Sequence, residues 1–265
     1  MRIVIALGGN ALLRRDDPMT TEVQRRNIAI AAAAIAPLAA EHSIVVVHGN
    51  GPQVGLLSLQ AESYAGAEPY PLDVLDAGTQ GMIGYLIQQE LRRLLPTRQV
   101  VTLLTVVVAG ADDPAEPRQI LEIQPITCLL DWGAVVICAG GGVPTRHASS
   151  PPGTLAGVEA VIDKDLASEL LAEDVHADLF LMCTDVDGAY LHWGSPAQRR
   201  LGWVTPEELA SYDFAAGSMR PKTEAAGRFA AKTGRRAAIG ALADIPEIVT
   251  GQAGTNVVRD RAADS

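Results

Sequence analysis

Short apolar runs rich in valine, isoleucine and leucine recur along this chain, and alanine- and leucine-rich segments with helical spacing separate them. The runs lack the polar alternation of a half-exposed strand, which is typical of strands buried on both faces. Buried strands that alternate with helices predict a mainly parallel sheet covered by helices on both sides, so the fold class is α/β. We expect strands at residues 2–7, 43–47, 100–108, 134–139, 178–183 and 236–241, and helices at residues 22–40, 74–95, 163–172 and 219–232.

The length of 265 residues is enough for a full hydrophobic core without disulfides or a structural metal. The sequence contains no internal repeat and no linker long enough to separate independent domains. We therefore predict a single domain over residues 1–265 with one continuous sheet and two functional lobes, of about residues 1–150 and about residues 151–265. Polar connectors at residues 109–119 and 147–154 are the candidate lobe boundaries.

Acidic residues outnumber basic residues by 31 to 21, which gives a formal charge of −10. A surface of this sign repels phosphate backbones and anionic lipid, so we expect neither nucleic acid nor a membrane as a partner. The three cysteines lack metal-ligand spacing and lie in or beside apolar runs, so we expect buried thiols in a reducing compartment. Because no stretch fits a signal sequence or a membrane span, we predict a cytoplasmic protein.

Three glycine-rich turns directly follow predicted strands. Glycine lets the backbone approach a ligand closely, so that successive N–H groups converge on an anion. The carboxyl ends of parallel strands form the ligand crevice of such sheets, and the turns fall there. None matches the P-loop or the dinucleotide-binding motif, and a tight turn without a ligand is the alternative for each. Together they predict a phosphate or carboxylate site at Gly8, Gly9, Asn10, Gly49, Asn50, Gly51, Gly140, Gly141 and Gly142.

Lysine is rare in this chain, which has three lysines beside eighteen arginines. Lys164 lies between Asp163 and Asp165 at the predicted start of a helix, and Lys222 lies at the predicted start of another. An ammonium group on a flexible stem can follow a phosphoryl group as it moves, which a planar guanidinium does less well. A solvated surface position is the alternative for both lysines, and we expect Lys232, late in its helix, to occupy one.

Two carboxylates close a predicted strand in the C-terminal half. Asp185 and Asp187 stand in the sequence Thr-Asp-Val-Asp-Gly, where they could accept hydrogen bonds from ribose, orient lysines or hold Mg²⁺ through water. A structural turn is the alternative for this pair, and helix N-terminal charge is the alternative for Asp163 and Asp165. The histidines form no Ser/His/Asp or Cys/His arrangement and no metal-binding motif, and we predict no metal site built by the protein alone.

Seven stretches of the chain fit one pattern when they are taken in order. They are Gly8-Gly9-Asn10-Ala11-Leu12, residues 48–55 (HGNGPQVG), 79–85 (TQGMIGY), 157–167 (GVEAVIDKDLA) and 184–188 (TDVDG), Gly217-Ser218-Met219 with Pro221-Lys222, and Ala253-Gly254-Thr255. These stretches resemble the carbamate kinase family, within the amino-acid kinase superfamily. The resemblance spans nearly the whole chain, and this colinearity is more specific than any single motif.

The resemblance implies an αβα sandwich around a mainly parallel central sheet, which is the amino-acid kinase fold, and a homodimer. It implies reversible phosphoryl transfer between ATP and carbamate, which gives ADP and carbamoyl phosphate, with Mg²⁺ as the cofactor of the nucleotide. By the resemblance, the glycine turns of the N-terminal lobe would bind the acceptor and the transferred phosphoryl group. Lys164 and Lys222 would neutralise phosphoryl oxygens, and Asp165 would orient the lysines. The nucleotide would be bound by Asp163, Asp185, Asp187, Gly188, Met219 and Arg220.

Three departures from the family pattern bear on the site. Typical carbamate kinases carry a protruding lid subdomain after the strand that here ends near Val108, and this lid contributes a lysine. The present chain has only the short connector at residues 109–119. The glycine run at residues 140–142 is one residue shorter than the usual four, and Arg220 stands where the family has glycine. We predict a variant without the lid, in which Arg220 or another arginine offsets the missing cation.

Two alternative functions stay open at the level of the sequence. Without a lid the site would be more open to water, so the acceptor could be another small carboxylate or a phosphate. The chain could also be a nucleotide-binding regulator without activity, although the presence of both motif lysines argues against that class. The acceptor oxygen of carbamate is already anionic and needs no general base, so the lack of a catalytic histidine pattern fits a carbamate kinase.

Overall fold

The computed structural model describes residues 1–12, 17–18, 20–66, 68–110, 112–147 and 154–260, apart from the side chains of Asn10 and Ala11. Its strands are β1 (Arg2–Leu7), β2 (Ser43–His48), β3 (Val100–Thr102), β4 (Val106–Ala109), β5 (Pro117–Ile120), β6 (Val135–Cys138), β7 (Val143–His147), β8 (Leu155–Gly157), β9 (Leu179–Thr184), β10 (Tyr190–Leu191), β11 (Arg199–Arg200), β12 (Trp203–Val204), β13 (Arg236–Ala241) and β14 (Thr255–Val257). Its helices are α1 (Gly9–Leu12), α2 (Thr21–Ala39), α3 (Gly51–Ser63), α4 (Leu72–Leu94), α5 (Ile123–Asp131), α6 (Lys164–Asp174), α7 (Pro206–Ala210), α8 (Met219–Thr233) and α9 (Ile245–Val249), with a 3₁₀ turn at Leu242–Asp244.

A mainly parallel sheet of eight strands forms the centre of the molecule, in the order β12-β14-β13-β9-β1-β2-β6-β3. β13 and β14 run antiparallel, and the other neighbouring strands run parallel. β1 lies inside the sheet, where Ile5 pairs with Val46 of β2 and with Leu181 of β9. The carboxyl ends of β1, β2, β6 and β9 therefore open on one edge of the sheet, and the glycine turns follow there.

Both faces of this sheet are covered because successive residues of β1 point to opposite sides. Ile3, Ile5 and Leu7 pack in one buried cluster with apolar residues of α2, α4 and α9. Val4 and Ala6 belong to the opposite cluster, with apolar residues of α5, α6 and α8. The predicted αβα sandwich around a mainly parallel central sheet is confirmed.

A second sheet, of four strands in the order β5-β4-β7-β8, is separate from the central one. The chain enters it within the strand predicted at residues 100–108. β3 ends at Thr102 in the central sheet, the Leu103 N–H donates to Ile137 O at 2.8 Å, and β4 begins at Val106 in the second sheet. The predictions of a single strand here and of one continuous sheet are therefore wrong, because a run of apolar residues does not reveal where a chain changes sheets.

The polar connector predicted at residues 109–119 is a short hairpin. β4 pairs antiparallel with β5 across it. The Asp163 N–H donates to Ala115 O at 3.0 Å, and Arg228 Nη1 lies 2.7 Å from Glu116 Oε1. The hairpin thereby contacts the start of α6 and the middle of α8.

Three other sequence expectations concern the chain as a whole. No helix within the described ranges is long and apolar enough to cross a membrane. Cys138 and Cys183 are buried, whereas Cys128 is exposed on α5, so the prediction that all three thiols are buried is wrong for Cys128. Most of the second predicted connector, residues 148–153, lies outside the described residues.

Candidate active site

The turn after β1 brings the backbone against β9. The Gly8 N–H donates to Cys183 O at 3.0 Å, and a Cβ atom at Gly8 would stand 2.8 Å from that oxygen. Only glycine fits such a close approach. Gly9 begins α1 and has open space where a side chain would be. The side chain of Asn10, which the sequence predicts to bind the phosphoryl group, lies outside the described residues.

Two lysines and one aspartate meet at the ends of β1 and β2. Lys164 Nζ lies 3.1 Å from Asp165 Oδ1, and Lys222 Nζ lies 2.8 Å from Asp165 Oδ2. Lys164 Nζ also donates to the carbonyl of Leu7, the last residue of β1, at 3.3 Å. The stem of Lys164 covers Gly49, where a Cβ atom would stand 3.2 Å from Lys164 Cδ. The structure thus brings the three residues predicted to be catalytic to the glycine turn after β2.

The first turns of two helices supply these side chains. Lys164 and Asp165 begin α6, and Lys222 lies in the first turn of α8. Asp163 caps α6, because its Oδ1 accepts from the N–H groups of Asp165 at 2.8 Å and Leu166 at 3.1 Å. The sequence predicts a nucleotide-binding role for Asp163, but the structure places its carboxylate in the helix cap.

The three charged groups are nearly enclosed. The exposed fractions of the side chains are 14% for Lys164, 7% for Asp165 and 13% for Lys222. Burial by itself raises the pKa of Asp165, but the two adjacent ammonium groups outweigh burial, and the net result is a lowered pKa. Burial lowers the pKa of Lys164, while the charge of Asp165 opposes this. The carboxylate therefore stays ionised, and the cluster is a local positive site inside an acidic molecule.

A cavity of about 940 Å³ opens beside this cluster. Gly8 and Gly9 line it from one side, and Asp185, Met219 and Lys222 line it from the other. Pockets of this size hold ligands as large as a nucleotide. The cavity therefore joins the turn after β1 to the C-terminal residues predicted to bind a nucleotide.

Known proteins match this chain over nearly its full length. The model of the amino acid kinase family matches residues 1–241. Carbamate kinase from Rhizobium meliloti (strain 1021) is 50% identical, with 96% of this chain and 92% of the relative covered. Carbamate kinase from Haemophilus influenzae is 46% identical, with 98% and 97% covered. The chain belongs to the carbamate kinase family.

The solved structures agree with this assignment. Carbamate kinase from Giardia lamblia bound to AMP-PNP matches with a TM-score of 0.92 at 34% identity, and 98% of each chain is covered. The alignment with the Rhizobium carbamate kinase has 299 positions, 34 more than the 265 residues of this chain. That relative therefore contains residues without a counterpart here, and this chain is a short member of the carbamate kinase family.

Two of the other C-terminal residues predicted to bind the nucleotide, Asp187 and Gly188, do not line the cavity. Asp187 accepts a hydrogen bond from the Tyr190 hydroxyl at 2.6 Å, and Arg200 Nη1 lies 3.3 Å from its second oxygen. Gly188 is buried, and a Cβ atom there would stand 2.9 Å from Thr255 Oγ1. The structure places these two residues in the support of the turn that carries Asp185.

Arg220 faces a different cavity, of about 490 Å³. Its Nη2 lies 2.6 Å from Asp213 Oδ1, and the side chain is half exposed. Tyr212, Asp213 and Phe214 line both cavities, whereas Arg220 lines only the smaller one. The structure does not bring Arg220 to the two lysines, so its placement does not support the hypothesis that it replaces the lid lysine.

The third glycine turn is buried and packs against the second. A Cβ atom at Gly140 would stand 3.2 Å from His48 O, and one at Gly141 would stand 2.7 Å from Ile162 O. Gly142 has a φ of 88°, a backbone conformation that favours glycine. Burial lowers the pKa of His48 to about 4, so this histidine beside the turn is neutral at neutral pH.

The side chain at the centre of the second turn binds to α4. Asn50 is 2% exposed, and its amide donates to Asp76 and Thr79 of α4. The side chain of Asn50 is therefore not available to a phosphoryl group, whereas the backbone of the turn can face one. Sequence reasoning missed Asp76, although it lies just before the TQGMIGY stretch that carries the family resemblance.

Sequence reasoning also missed the aromatic wall of the cavity. Tyr190 and Trp193 form an edge-on pair with ring centroids 5.1 Å apart, and Tyr212 and Phe214 form another at 6.3 Å. All four residues line the 940 Å³ cavity. Because aromatic residues make up only 4% of the chain, their clustering in two short segments near the Thr-Asp-Val-Asp-Gly motif was an available signal.

Proposed function

We propose that this chain is an ATP-dependent phosphotransferase that moves a phosphoryl group reversibly between ATP and carbamate, with ADP and carbamoyl phosphate as the other pair. The observation that carries the proposal is the contact of Asp165 with both Lys164 and Lys222 beside the 940 Å³ cavity. The match to carbamate kinases from Rhizobium meliloti and Haemophilus influenzae supports the same reaction.

To catalyse this reaction, the protein has mainly to position the two substrates and to stabilise their negative charge. An anionic oxygen of carbamate attacks the γ-phosphorus and forms the new P–O bond. The bond from that phosphorus to the β,γ-bridging oxygen breaks, and the oxygen leaves with its electron pair on ADP. Because no proton has to be removed from the acceptor, the site needs charged groups in the right position but no general base.

The two lysines oppose the repulsion between the two anions. Lys222, on the cavity wall, would contact the phosphoryl oxygens from the nucleotide side. Lys164, which is bound to Leu7 O and packed on Gly49, would contact them from the acceptor side. Asp165 limits the movement of both ammonium groups, and charge that is positioned in advance stabilises the transition state without reorganisation.

ATP or ADP would occupy the large cavity. The rings of Trp193 and Tyr212 on its wall offer faces on which a base can stack. The exposed backbone of Gly9 faces the same space and is suited to phosphate. The related Giardia lamblia carbamate kinase was solved with AMP-PNP bound, which supports a nucleotide here.

Mg²⁺ would enter with the nucleotide. Within the described part of the chain, no three His, Cys, Asp or Glu residues are grouped to hold a metal ion. Such a site fits a cation bound mainly by phosphate oxygens and water, as is usual for Mg²⁺ with ATP. Asp185 is suited to be the protein ligand because it is exposed on the cavity wall. The cation would neutralise charge on the β- and γ-phosphates.

We also propose that this enzyme works without the family's lid. The β4–β5 hairpin is short at the point where the resemblance puts the lid, and it is bound to α6 and α8. The acceptor side would then be more open to solvent, which makes other small carboxylates or phosphates the acceptors to compare with carbamate.

A cytoplasmic homodimer completes the proposal. Val74, Met82 and Tyr85 lie along one face of α4 and are 44%, 47% and 54% exposed, which suits contact with a second copy. The three cysteines are free thiols, as is usual in a reducing compartment.

The direct test is ATP formation from ADP, Mg²⁺ and carbamoyl phosphate by the purified protein. We expect turnover that depends on all three, and with ATP a panel of small acceptors should give most ADP with carbamate. Nucleotide binding in calorimetry without transfer to any acceptor would instead favour the inactive regulator. Faster transfer to another acceptor would change the substrate and keep the chemistry.

A further inference from the structure

A buried carboxylate on α4 takes no part in the chemistry described above. Asp76 is 5% exposed, and burial raises its pKa to about 6, while hydrogen bonds from Asn50 and Gln80 oppose the increase. Enclosing a carboxylate costs free energy unless hydrogen bonds replace the lost water. The groups that supply these bonds indicate what Asp76 does.

One oxygen of Asp76 binds the second glycine turn. Asn50 Nδ2 donates to Asp76 Oδ1 at 2.5 Å and to Thr79 Oγ1 at 2.9 Å. The Thr79 hydroxyl donates to Asp76 O at 2.8 Å, which leaves its oxygen oriented to accept. The side chain of Asn50 makes no capping bond to α3, although Asn50 stands at the N-terminus of that helix. The amide therefore ties the turn between Gly49 and Gly51 to α4.

The other oxygen of Asp76 faces Gln80, which is connected through Thr105 to the third glycine turn. Gln80 Nε2 lies 3.5 Å from Asp76 Oδ2 and donates to Thr105 O at 3.1 Å, and the Thr105 N–H donates back to Gln80 Oε1 at 3.0 Å. Thr105 Oγ1 accepts from the Ala139 N–H at 2.9 Å, and Ala139 directly precedes Gly140. One buried set of hydrogen bonds thus connects α4 to two glycine turns.

The polarity of this network requires a group at position 76 that only accepts. Asn50 and Gln80 both present NH₂ groups to Asp76, and an ionised carboxylate accepts on both oxygens. An amide at this position would keep the shape but would set one NH₂ group against another. A comparison of Asp76 with Asn at the same position therefore tests the hydrogen bonds while the packing stays the same.

We propose that Asp76 is a positioning residue that acts through Asn50 to fix the backbone of Gly49 and Gly51 where the transferred phosphoryl group binds. This inference rests on the proposed function, because it concerns the acceptor side of the same site. A shift of the turn would also displace Lys164, which packs on Gly49. The nucleotide cavity is lined by other residues, so we expect the effect on the acceptor side to be the larger one.

The kinetic test compares Asp76→Asn with Glu90→Gln, which removes a carboxylate that pairs with Arg93 near the far end of α4. In ATP formation we expect Asp76→Asn to raise the KM for carbamoyl phosphate about tenfold and to change the KM for ADP by less than about twofold. Glu90→Gln should keep both values. If Asp76 only stabilised the fold, the variant would contain less active protein and show a lower kcat. The KM values for carbamoyl phosphate and ADP would then both stay as in the wild type.

A second variant covers the case in which Asp76→Asn folds poorly. Thr79→Val removes the other acceptor of the Asn50 amide with little change of shape, and we expect it to raise the KM for carbamoyl phosphate about threefold. An unchanged KM for carbamoyl phosphate in folded Asp76→Asn and in Thr79→Val, or an equal rise of both KM values, would overturn the inference.

Hydrogen–deuterium exchange gives a readout that does not need activity. Peptides that span residues 49–55 should exchange faster in Asp76→Asn than in the wild type, whereas peptides that span residues 236–241 should not change. An inactive wild type would overturn the proposed function, and the exchange at residues 49–55 would still decide the role of Asp76. Equal exchange in the two proteins would count against that role.

Discussion

Asp165 determines how the charges of the active site are arranged. Its two oxygens contact two different ammonium groups, at 3.1 Å and 2.8 Å, so one carboxylate holds Lys164 and Lys222 in a shared position. Without it, two like charges would lie close together in a nearly enclosed site and would repel each other. The cluster keeps an excess of positive charge, which an incoming phosphoryl group can neutralise.

Loss of Lys222 should therefore reduce catalysis more than folding. We expect Lys222→Ala to lower kcat for ATP formation about 10²- to 10³-fold, because a positioned charge at the transferred group is lost. Steady-state kinetics with thermal unfolding on the same samples would measure both effects. Lys232→Ala, at the other end of α8 and outside the cavity, is the matched control and should keep kcat. Near-wild-type turnover by Lys222→Ala would contradict the proposed mechanism.

Arg220 provides a contrasting prediction on the same helix turn. Because it pairs with Asp213 and faces the smaller cavity, Arg220→Ala should change kcat and both KM values by less than about twofold. The same coupled assay would measure this. A loss comparable to that of Lys222→Ala would restore the hypothesis that Arg220 offsets the missing lid lysine.

At the level of helices, the cap of α6 controls where its lysine stands. Asp163→Ala removes the acceptor of two N–H groups, and we expect a loss of about 1 kcal/mol in the free energy of unfolding. Because the first turn of α6 carries Lys164 and Asp165, kcat should fall as well. Urea unfolding and kinetics would measure the two effects. Thr205→Ala removes the cap of α7 and should lower the free energy of unfolding by a similar amount without lowering kcat. If the two variants had the same kcat, Asp163 would not position the active-site lysine.

α6 and α8 also share a cluster of charges away from the site. Lys232 is exposed at the surface, as the sequence predicts, and its Nζ lies 3.2 Å from Glu169 Oε1 and 2.8 Å from Glu173 Oε1. Burial raises the pKa of Glu169 to about 8, and the neighbouring Glu173 adds to this, while Lys232 opposes it. The folded protein therefore binds a proton at Glu169 that the unfolded chain releases at a lower pH.

This proton makes stability fall as the pH rises. Between the unfolded pKa, about 4.5, and the folded pKa, about 8, the folded state holds more protons, so the free energy of unfolding decreases with pH in that window. Glu169→Gln keeps a neutral group at every pH. Between pH 5.5 and pH 8.5 its free energy of unfolding should therefore fall less than that of the wild type, by on the order of 1 to 2 kcal/mol. Urea unfolding at both pH values would measure this. Glu62→Gln, at an exposed site, should show the same pH dependence of the free energy of unfolding as the wild type. If Glu169→Gln also showed the pH dependence of the wild type, the proton would not be bound at Glu169.

Local patterns predicted the secondary elements well and the sheets less well. The strands predicted at residues 2–7 and 236–241 match β1 and β13 residue for residue, because continuous apolar runs identify buried strands. The run at residues 100–108 divides between two sheets, and that division depends on contacts with β6 and β7 that lie far along the chain. The lysine pair was predictable from its motifs, whereas the links of Asp76 exist only after α4 has packed on the glycine turns.

On the scale of the molecule, the short hairpin contacts two helices of the C-terminal part of the chain. Glu116 pairs with Arg228 of α8, and the carbonyl of Ala115 accepts from the backbone of Asp163 at the start of α6. Both contacts reach helices that carry the active-site lysines. The hairpin is therefore bound to both helices that carry these lysines.

The exposed face of α4 leads to a prediction about assembly. In a two-fold contact the same helix face meets itself, so a charge introduced there is brought close to its own copy and repelled. We expect the wild type to have a mass of roughly twice 27.9 kDa in light scattering, and Met82→Glu to shift it toward the monomer. Trp132→Glu, which replaces an exposed apolar residue beside α5, should keep the dimer because it lies on another element. A monomeric wild type, or a Met82→Glu variant with the mass of the wild type, would exclude this face as the contact.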